Sequence, residues 1–363
     1  MNKMRMKINI KTKYRIIYIL FIFCTILLSG CSLPTSNEQE KDSKQIASNN
    51  QEESSIEIFA MDTYMTLKAY GENREEALAV AQTEIERLDA LWSVGESDSE
   101  VSKLNREKKL TVSDETMKLL TCAKDISKQT KGAFDITIYP LMNLWGFTTQ
   151  KYKVPTKDEI NQILNSQVGM DKVEVSAKTN KVTLKDNAQI DLGGIAKGYT
   201  SSQVAKIYED CGVESGVISL GGNVQAIGTK VDGSRWKVGI QSPNDSMDMV
   251  GTYEAKDEAV ITSGGYERYF EENGKTYHHI LDPATGKPTE KDLISVTVIS
   301  KDGTKADCLS TTLFVLGKEK AQAYWKKYKD EFDMILVDEN NKIWITKGIK
   351  KHFTSDYEYQ VID

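Results

Sequence analysis

Histidine is scarce in this 363-residue chain, which holds only His278, His279 and His352. So few imidazoles argue against a histidine-rich zinc or copper site. The five cysteines include no C-x-x-C pair, so neither a structural zinc site nor a thioredoxin-type motif is supported. Two glycine-rich nucleotide signatures, G-x-G-x-x-G and the P-loop, are also missing from the sequence.

The overall composition is that of a globular protein, with 39% hydrophobic and 28% charged residues. These proportions exclude disorder of the whole chain. The length permits one large or two moderate domains, and no repeat of solenoid period is visible.

The N-terminus carries a targeting signal. The first 30 residues hold six basic residues and no acidic ones, and an apolar run extends from Ile16 to Leu28. This order of basic, apolar and small residues predicts a signal peptide over residues 1–30. Leu28-Ser29-Gly30-Cys31 resembles a bacterial lipobox, which predicts lipidation of Cys31 and attachment to the extracytoplasmic face of the cell membrane. The alternative is an uncleaved anchor, but the run is short for a span of ~20 residues.

Residues 31–55 are almost entirely polar, which predicts a flexible tether after the lipidated cysteine. Residues 56–363 then form the functional domain. Without the signal peptide the chain has 41 basic and 53 acidic residues, a net charge of −12. We therefore expect a membrane partner through the lipid alone, and no nucleic-acid partner.

The central stretch runs from Ile190 to Tyr199, with sequence IDLGGIAKGY. The alternating residues before it predict that Asp191 leaves a strand, and an amphipathic helix is expected from Ile195. A glycine-rich turn that opens a helix is a natural seat for an anion. Asp191 and Lys197 therefore suggest a polar, phosphate-bearing ligand, although many Gly-Gly turns only connect a strand to a helix.

Hydrophobic periodicity predicts a chain of mixed α and β structure. Strands are expected on both sides of Met61-Asp62-Thr63, and a loop over Ser93–Leu104. Capping signals predict helices at Asn73, Ser113 and Thr156. Three later strands that end in Gly or Ser turns are expected to form one rim, and they start near Gly216, Trp236 and Val260. One long helix is predicted over Ala306–Lys327.

Asp135, Asp307 and His279 are candidates for chemistry. Asp135 lies among apolar residues and either caps a local element or meets a ligand. Asp307, Ser310 and Thr311 have i, i+3, i+4 spacing, which places three oxygen donors on one helix face for a cation such as Mg²⁺. The alternative is an N-cap aspartate followed by ordinary hydroxyls. His279 is suited to proton transfer near neutral pH, or is simply a strand residue.

Seven stretches together resemble the ApbE family of FAD:protein FMN transferases. They run in order from about Ile56 to Ile345. The matching stretches are MDT at 61–63, GAFD at 132–135 with PLxxLWGF at 140–147, DLGGIAKG at 191–198, SLGGN at 219–223, TSG at 262–264, HILDPxTG at 279–286 and ADxxST at 306–311.

The resemblance implies an α+β fold of ApbE type, related to the T-fold, with mixed sheets, flanking helices and an FAD cleft between two subregions. It implies Mg²⁺-dependent transfer of FMN from FAD to a Thr or Ser hydroxyl of an extracytoplasmic acceptor flavoprotein, through a phosphoester, with release of AMP. His279 and Asp307 would be catalytic, and our hypothesis is that His279 orients the phosphates or takes the proton of the acceptor hydroxyl. The residues implied to line the FAD are Met61, Ala133, Phe134, Asp135, Asp191, Lys197 and Leu281. Those implied to hold the metal are Gly194, Asp307, Ser310 and Thr311.

Two positions depart from the family pattern. Many relatives have an aromatic residue where this chain has Gly95, with Trp92 slightly upstream, so stacking on the flavin from this loop is in question. Ser310 stands where some members have Asp, which should weaken Mg²⁺ binding. Two other functions remain open: an FAD pyrophosphatase that yields free FMN and AMP, and a non-catalytic FAD-binding lipoprotein.

Overall fold

A computed structural model describes residues 52–363 of the chain. The predicted signal peptide, the lipidation site Cys31 and most of the tether lie outside the described residues. Among the described residues, no helix is long and apolar enough to cross a membrane. The first strand begins at Glu53, which pairs with Tyr70. Residues 53–55, which were predicted to belong to the tether, are therefore part of this strand.

A nine-stranded sheet forms the centre of the described part, in the order β1-β2-β6-β7-β10-β15-β16-β17-β19. Its neighbours pair antiparallel, except β17 and β19, which are parallel. The strands are β1 Glu53–Ala60, β2 Thr63–Tyr70, β6 Ser215–Leu220, β7 Asn223–Ile227, β10 Glu258–Gly264, β15 Leu293–Ser300, β16 Asp333–Asp338, β17 Ile343–Thr346 and β19 Tyr359–Ile362.

Four small sheets complete the β structure of the described residues. They pair as β3-β5-β4, β18-β9-β8, β11-β12 and β13-β14. Their strands are β3 Lys109–Thr111, β4 Val173–Ser176, β5 Lys181–Leu184, β8 Trp236–Gln241, β9 Met249–Ala255, β11 Tyr269–Glu272, β12 Lys275–His278, β13 Leu281–Asp282, β14 Lys287–Pro288 and β18 Phe353–Thr354.

The described residues include eight α-helices. Three of them, α1, α6 and α7, pack on the large sheet and bury apolar side chains against it. Apolar residues of β8, β9 and β18 pack with residues of the large sheet in a separate core. The helices are α1 Arg74–Trp92, α2 Glu100–Glu107, α3 Asp114–Thr130, α4 Tyr139–Trp145, α5 Lys157–Ser166, α6 Ala196–Asp210, α7 Gly303–Leu316 and α8 Lys318–Tyr328. The expected α+β class with mixed sheets is confirmed.

Local signals located several elements correctly. Ser113 and Thr156 cap α3 and α5 through their side chains, and Thr156 forms a complete capping box with Glu159. The β1–β2 hairpin turns at Met61 and Asp62, both with positive φ, which is the backbone of a tight two-residue hairpin turn. Met61 Sδ lies 3.7 Å from Thr200 Oγ1, so this turn lies next to the residue that follows the central stretch.

Other local predictions are wrong for physical reasons. Helix α2 occupies part of the predicted loop, where Ser99 caps it by accepting from the Ser102 amide. Asn73 precedes α1, but its side chain makes no capping bond and donates to the Cys211 carbonyl. The predicted late helix is two helices, because Gly317 has a φ of 78° and separates α7 from α8.

Two further expectations about strands are also wrong. Asp191 does not leave a strand, since β5 ends at Leu184 and the connecting residues lie outside any sheet. Three strands were expected to end at one rim, but β8 belongs to a small sheet and not to the large one. Only β6 and β10 share the large sheet. The ends of β6 and β10 do lie together, since β7 pairs with both strands.

Candidate functional site

The central glycine turn is held by side chains from distant parts of the sequence. Asn105 binds both backbone groups of Ile190, with Nδ2 donating to its carbonyl at 2.8 Å and Oδ1 accepting from its amide at 2.7 Å. Asp191 accepts from the Gly193 amide at 2.6 Å, and its own amide donates to the Ile136 carbonyl. No sheet pairing among the described residues holds this segment, so these hydrogen bonds fix the turn that precedes α6. Asn105 was missed by the sequence analysis, because nothing local marks a contact across 85 residues.

Helices α6 and α7 cross at Gly198 with almost no space between their backbones. A Cβ at Gly198 would lie 2.2 Å from the Gly303 carbonyl oxygen and 2.5 Å from Asp307 Cβ. The close approach lets the Gly198 amide donate to Asp307 Oδ2 at 2.8 Å. Glycine at this crossing is therefore what brings the Asp307 carboxylate to the start of α6.

Oxygen donors gather one turn further along α7. Ser263 Oγ lies 2.8 Å from Ser310 Oγ and 3.3 Å from Thr311 Oγ1. A Cβ at Gly194 would lie 4.0 Å from Thr311 Oγ1, so the glycine turn faces this hydroxyl. The structure thus brings together Gly194, Ser310 and Thr311, with Asp307 one turn earlier on the same helix. Ser263, from β10, was not predicted as a site residue.

These groups suit a hard cation. Carboxylate, hydroxyl and backbone carbonyl oxygens are the ligands that Mg²⁺ prefers, and it often takes the rest from phosphate and water. No group of three or more His, Cys, Asp or Glu side chains in residues 52–363 is arranged to hold a metal. A cation at Asp307 would therefore depend on the nearby hydroxyls and on ligands from the substrate.

The electrostatics at Asp307 support this interpretation. Asp307 is 5% exposed, and burial raises the pKa of its carboxyl, while the Lys197 charge and the Gly198 amide lower it. Asn223 faces this carboxylate and also lowers its pKa, although its buried Nδ2 lies outside hydrogen-bond geometry to any partner among residues 52–363. A buried carboxylate next to an unpaired donor is costly unless a ligand joins them.

Asp135 has a structural role in this arrangement. Its Oδ1 accepts from the Thr137 amide at 2.8 Å and from Thr137 Oγ1 at 2.5 Å, capping a short 3₁₀ turn at Ile136–Ile138. Burial raises the pKa of the Asp135 carboxyl, and the Thr137 bonds oppose that rise. Of the two alternatives left open for Asp135, the structure contains the capping bonds. The neighbouring Phe134 ring lies against Gly194.

Among residues 52–363, only one ring nitrogen of His279 has a hydrogen-bond partner. Nδ1 lies 3.1 Å from the Arg268 carbonyl oxygen, which can only accept, so Nδ1 carries the hydrogen. Burial lowers the pKa of His279 to about 3, and the charges of Arg268 and Lys197 add to this effect. The ring is therefore neutral at pH 7, with Nε2 as a hydrogen-bond acceptor. The adjacent His278 packs edge-on against Phe314.

Glu267 was missed by the sequence analysis. Partial desolvation by neighbouring groups raises the pKa of the Glu267 carboxyl to about 7. The Lys197 charge opposes this shift, and the Asp307 charge adds to it. Although solvent reaches the Glu267 side chain, the charges that act on it are those of Lys197 and Asp307. The only sequence signal for Glu267 as a site residue was its position three residues after Gly264.

The remaining predicted residues lie in different surroundings. Met61 is half-buried in the β1–β2 turn, where its sulfur contacts Thr200 Oγ1 at 3.7 Å. Ala133 is half-buried beside the central core. Leu281 is 5% exposed and packs in a separate apolar cluster with Trp145 and Phe147.

Trp92 cannot stack on a flavin in this structure. It is 4% exposed, donates from Nε1 to Thr116 Oγ1 and packs edge-on against Tyr199. Its neighbour Gly95 is exposed and has no ring to offer.

The fold and the site define an α+β protein with a cluster of oxygen donors beside a glycine turn, and such a turn suits an anionic ligand such as a phosphate. The ApbE family model matches residues 61–336, so the chain belongs to the ApbE family. A FAD:protein FMN transferase of Klebsiella pneumoniae strain 342 is 35% identical over 315 residues, which cover 85% of this chain and 97% of that protein.

Solved structures agree with this membership. The ApbE protein of Thermotoga maritima is 32% identical with a TM-score of 0.78, and the match covers 83% of this chain and 99% of that one. The flavin transferase ApbE from Vibrio cholerae is 27% identical with a TM-score of 0.75, with the same coverage of each chain.

Proposed function

We propose that this protein transfers the FMN part of FAD to a Thr or Ser hydroxyl of an acceptor flavoprotein, in a Mg²⁺-dependent reaction that releases AMP. Membership of the ApbE family and relatives named FAD:protein FMN transferase support an enzyme of this type. The observation that carries the proposal is the meeting of Asp307, Ser310, Thr311 and Gly194 at the crossing of two helices.

The cation site follows from the donors present. Asp307 and Thr311 would bind Mg²⁺, with Ser310 and the Gly194 carbonyl in support. When bound, the cation would neutralise charge on the two phosphates of FAD. Lys197 adds positive charge near the site, because its charge lowers the pKa of Asp307. Phosphoryl transfer needs mainly such positioning and charge compensation.

The reaction balances without a further reactant. The acceptor hydroxyl oxygen forms a bond to the phosphorus of the FMN part. The bond from that phosphorus to the bridging oxygen breaks, and AMP leaves with the bridging oxygen. The hydroxyl loses one proton, which must pass to a base in the site or to solvent.

His279 is the base we propose for this proton. With Nδ1 bonded to the Arg268 carbonyl, Nε2 can accept from a hydroxyl but has no hydrogen to donate to a phosphate. The geometry therefore favours proton acceptance over orientation of the phosphates. A low pKa makes the ring a weak base at pH 7, so its contribution is expected at the lower end of the usual range for a positioned base, about 10²-fold.

The flavin nucleotide is proposed to lie along the glycine turn. Phe134 packs against Gly194, and Asp191 closes the turn from the other side. Asp135 would act by holding the Phe134 segment in place. The remaining residues proposed to line the FAD are Met61, Ala133, Lys197 and Leu281.

An FAD pyrophosphatase is the second candidate, and the accessibility of the site favours it. His279 is only half-buried and the nearby Glu267 is exposed, so water could replace the acceptor hydroxyl. The test is nucleotide chromatography of reactions that contain FAD and Mg²⁺, with and without an acceptor domain.

A transferase releases AMP only when the acceptor is present, and leaves no free FMN. Equal amounts of free FMN and AMP without acceptor would establish the pyrophosphatase. If Mg²⁺ removal leaves FAD bound and no product appears under any condition, the chain is a binding protein.

The proposed location follows from the N-terminal sequence alone. Lipidated Cys31 would hold the domain at the extracytoplasmic face of the cell membrane, where an extracytoplasmic acceptor flavoprotein would meet it. The polar residues between Cys31 and the first strand would give the domain a reach of about 23–27 Å from the lipid.

A further inference from the structure

Asn223 is a buried polar residue that the proposed reaction has not used. It is 2% exposed, and its Nδ2 has no hydrogen-bond partner within residues 52–363. Burying an amide donor without a partner costs about 1–3 kcal/mol. The donor is therefore available to the Asp307 carboxylate, which it faces closely enough to lower its pKa.

The sheet register shows where Asn223 points. It lies opposite Ile261 on β10, so both side chains are on one face of the large sheet. Ile261 packs with Ala306 and Leu309 of α7. Ser263 follows two residues later on the same face, and its hydroxyl reaches Ser310 and Thr311. The Asn223 amide is therefore under α7, beside Asp307.

The two carboxylate oxygens of Asp307 differ in their surroundings. Oδ2 accepts from the Gly198 amide at 2.8 Å. This bond holds one edge of the carboxylate from the α6 side, whereas Asn223 approaches from the sheet side. A buried carboxylate that ligates a metal needs such outer partners to fix its orientation.

We propose that Asn223 is a positioning residue for the cation site, whose amide orients the Asp307 carboxylate for metal binding. The inference rests on the proposed function, because it assumes that Asp307 binds a divalent cation. It assigns a role to the last residue of the stretch SLGGN. Gly221 and Gly222 form the turn that places Asn223 at the start of β7.

Replacement of Asn223 tests this role through metal affinity. Asn223→Leu keeps the approximate size of the side chain and removes both amide groups. We expect the affinity of the purified domain for Mn²⁺, used as a probe for Mg²⁺ and followed by electron paramagnetic resonance, to fall by roughly 10–100-fold, as for other outer partners of metal ligands. Transfer by this variant should recover at high Mg²⁺, since the reacting groups remain.

Gln225→Leu is the matched control. Gln225 is also buried on β7, on the same sheet face, but its amide donates to the Ala226 carbonyl. We expect Mn²⁺ affinity to stay within twofold of wild type in this variant. Asn223→Ala provides a second replacement if the leucine variant does not fold, as judged by its thermal melt.

The outcomes separate the two proposals. Equal Mn²⁺ affinity in wild type and Asn223→Leu would overturn the role of Asn223 while leaving the cation site intact. Equal weakening in Asn223→Leu and Gln225→Leu would show a general packing effect and also overturn it. If the wild-type protein binds no Mn²⁺, the proposed function has no cation site. The role of Asn223 would then be wrong as well.

Discussion

His279 illustrates at the residue scale how a fixed tautomer limits chemistry. Its Nδ1 is occupied by the Arg268 carbonyl, so the free nitrogen can accept a proton but not donate one while the ring is neutral. Because its lowered pKa makes it a weak base, we predict that His279→Ala lowers the rate of FMN transfer by about 10²-fold. Single-turnover transfer kinetics would measure this, and an unchanged rate would exclude His279 as the base.

The same substitution should change the pH dependence of stability. The pKa of His279 is lowered to about 3 from an ordinary value of 6.5, so the unfolded chain binds more protons between these pH values. The free energy of unfolding therefore falls as pH decreases from 6.5 toward 3. His279→Ala should lose less stability than wild type over this window in urea titrations at pH 7 and 4. Equal losses would contradict the lowered pKa.

Glu267 should change the free energy of unfolding with pH in the opposite direction. Its pKa is raised to about 7 from an ordinary 4.5, so it contributes stability below pH 4.5 that is lost as pH rises through 7. Glu267→Gln removes the ionised form and should raise the free energy of unfolding relative to wild type at pH 8. At pH 4 we expect no gain. Denaturant unfolding at both pH values measures the difference, and a variant less stable at pH 8 would refute the assignment.

The sequence identified part of the site because some signals are local. Helical spacing alone placed Asp307, Ser310 and Thr311 on one turn, and the structure keeps them near one another. Ser263, Asn105 and Asn223 could not be recognised in this way. Each acts on residues far away in the chain, and only the packing of sheet against helix brings them there.

At the scale of elements, the crossing of α6 and α7 depends on glycine. A Cβ at Gly198 would collide with the Gly303 carbonyl and with Asp307. We predict that Gly198→Ala lowers the free energy of unfolding by about 1–3 kcal/mol, the usual cost of overpacking. It should also weaken Mn²⁺ binding, because Asp307 loses the Gly198 amide contact.

Gly95→Ala is the control for this change. Its Cβ would meet only Ser93 Oγ, at an ordinary contact distance of 3.6 Å. We expect its effect on stability to remain within about 0.5 kcal/mol. If chemical denaturation finds Gly198→Ala as stable as Gly95→Ala, the helices can separate without cost and the close crossing is not required.

Element boundaries were predictable where caps marked them. Ser113 and Thr156 began their helices as expected. Helix α2 was missed because it is only eight residues long, and only Val101 and Leu104 give it an apolar pattern. The break at Gly317 was missed because the apolar pattern continues through it.

At the scale of the whole molecule, the class and the family were both predictable. Alternating and helical periods indicated mixed structure, and the ordered motifs indicated the ApbE family, which the comparisons confirm. The order of strands was not predictable. The large sheet joins β1 and β2 to β6 and ends with β19 beside β17, so its pairings depend on contacts across most of the chain.

The proposed lipid on Cys31 decides whether the whole molecule is attached to the membrane. We predict that Cys31→Ala removes lipid attachment and shifts the protein from the membrane fraction to the soluble fraction, because the acidic domain has no other expected attraction to anionic lipid. Metabolic labelling with a fatty-acid analogue and cell fractionation would show this. Cys122→Ala provides a cysteine control, and unchanged labelling of Cys31→Ala would refute lipidation at this residue.

Intact mass spectrometry of an acceptor domain tests the central claim most directly. The domain from Ser32 onward is incubated with FAD, Mg²⁺ and an acceptor that has one candidate Thr. We predict one added FMN on the acceptor, none when Thr is replaced by Ala, and at least a 100-fold lower rate with Asp307→Asn, which keeps the shape of the side chain. An acceptor that stays unmodified while FAD is consumed, or full activity of Asp307→Asn, would contradict the account.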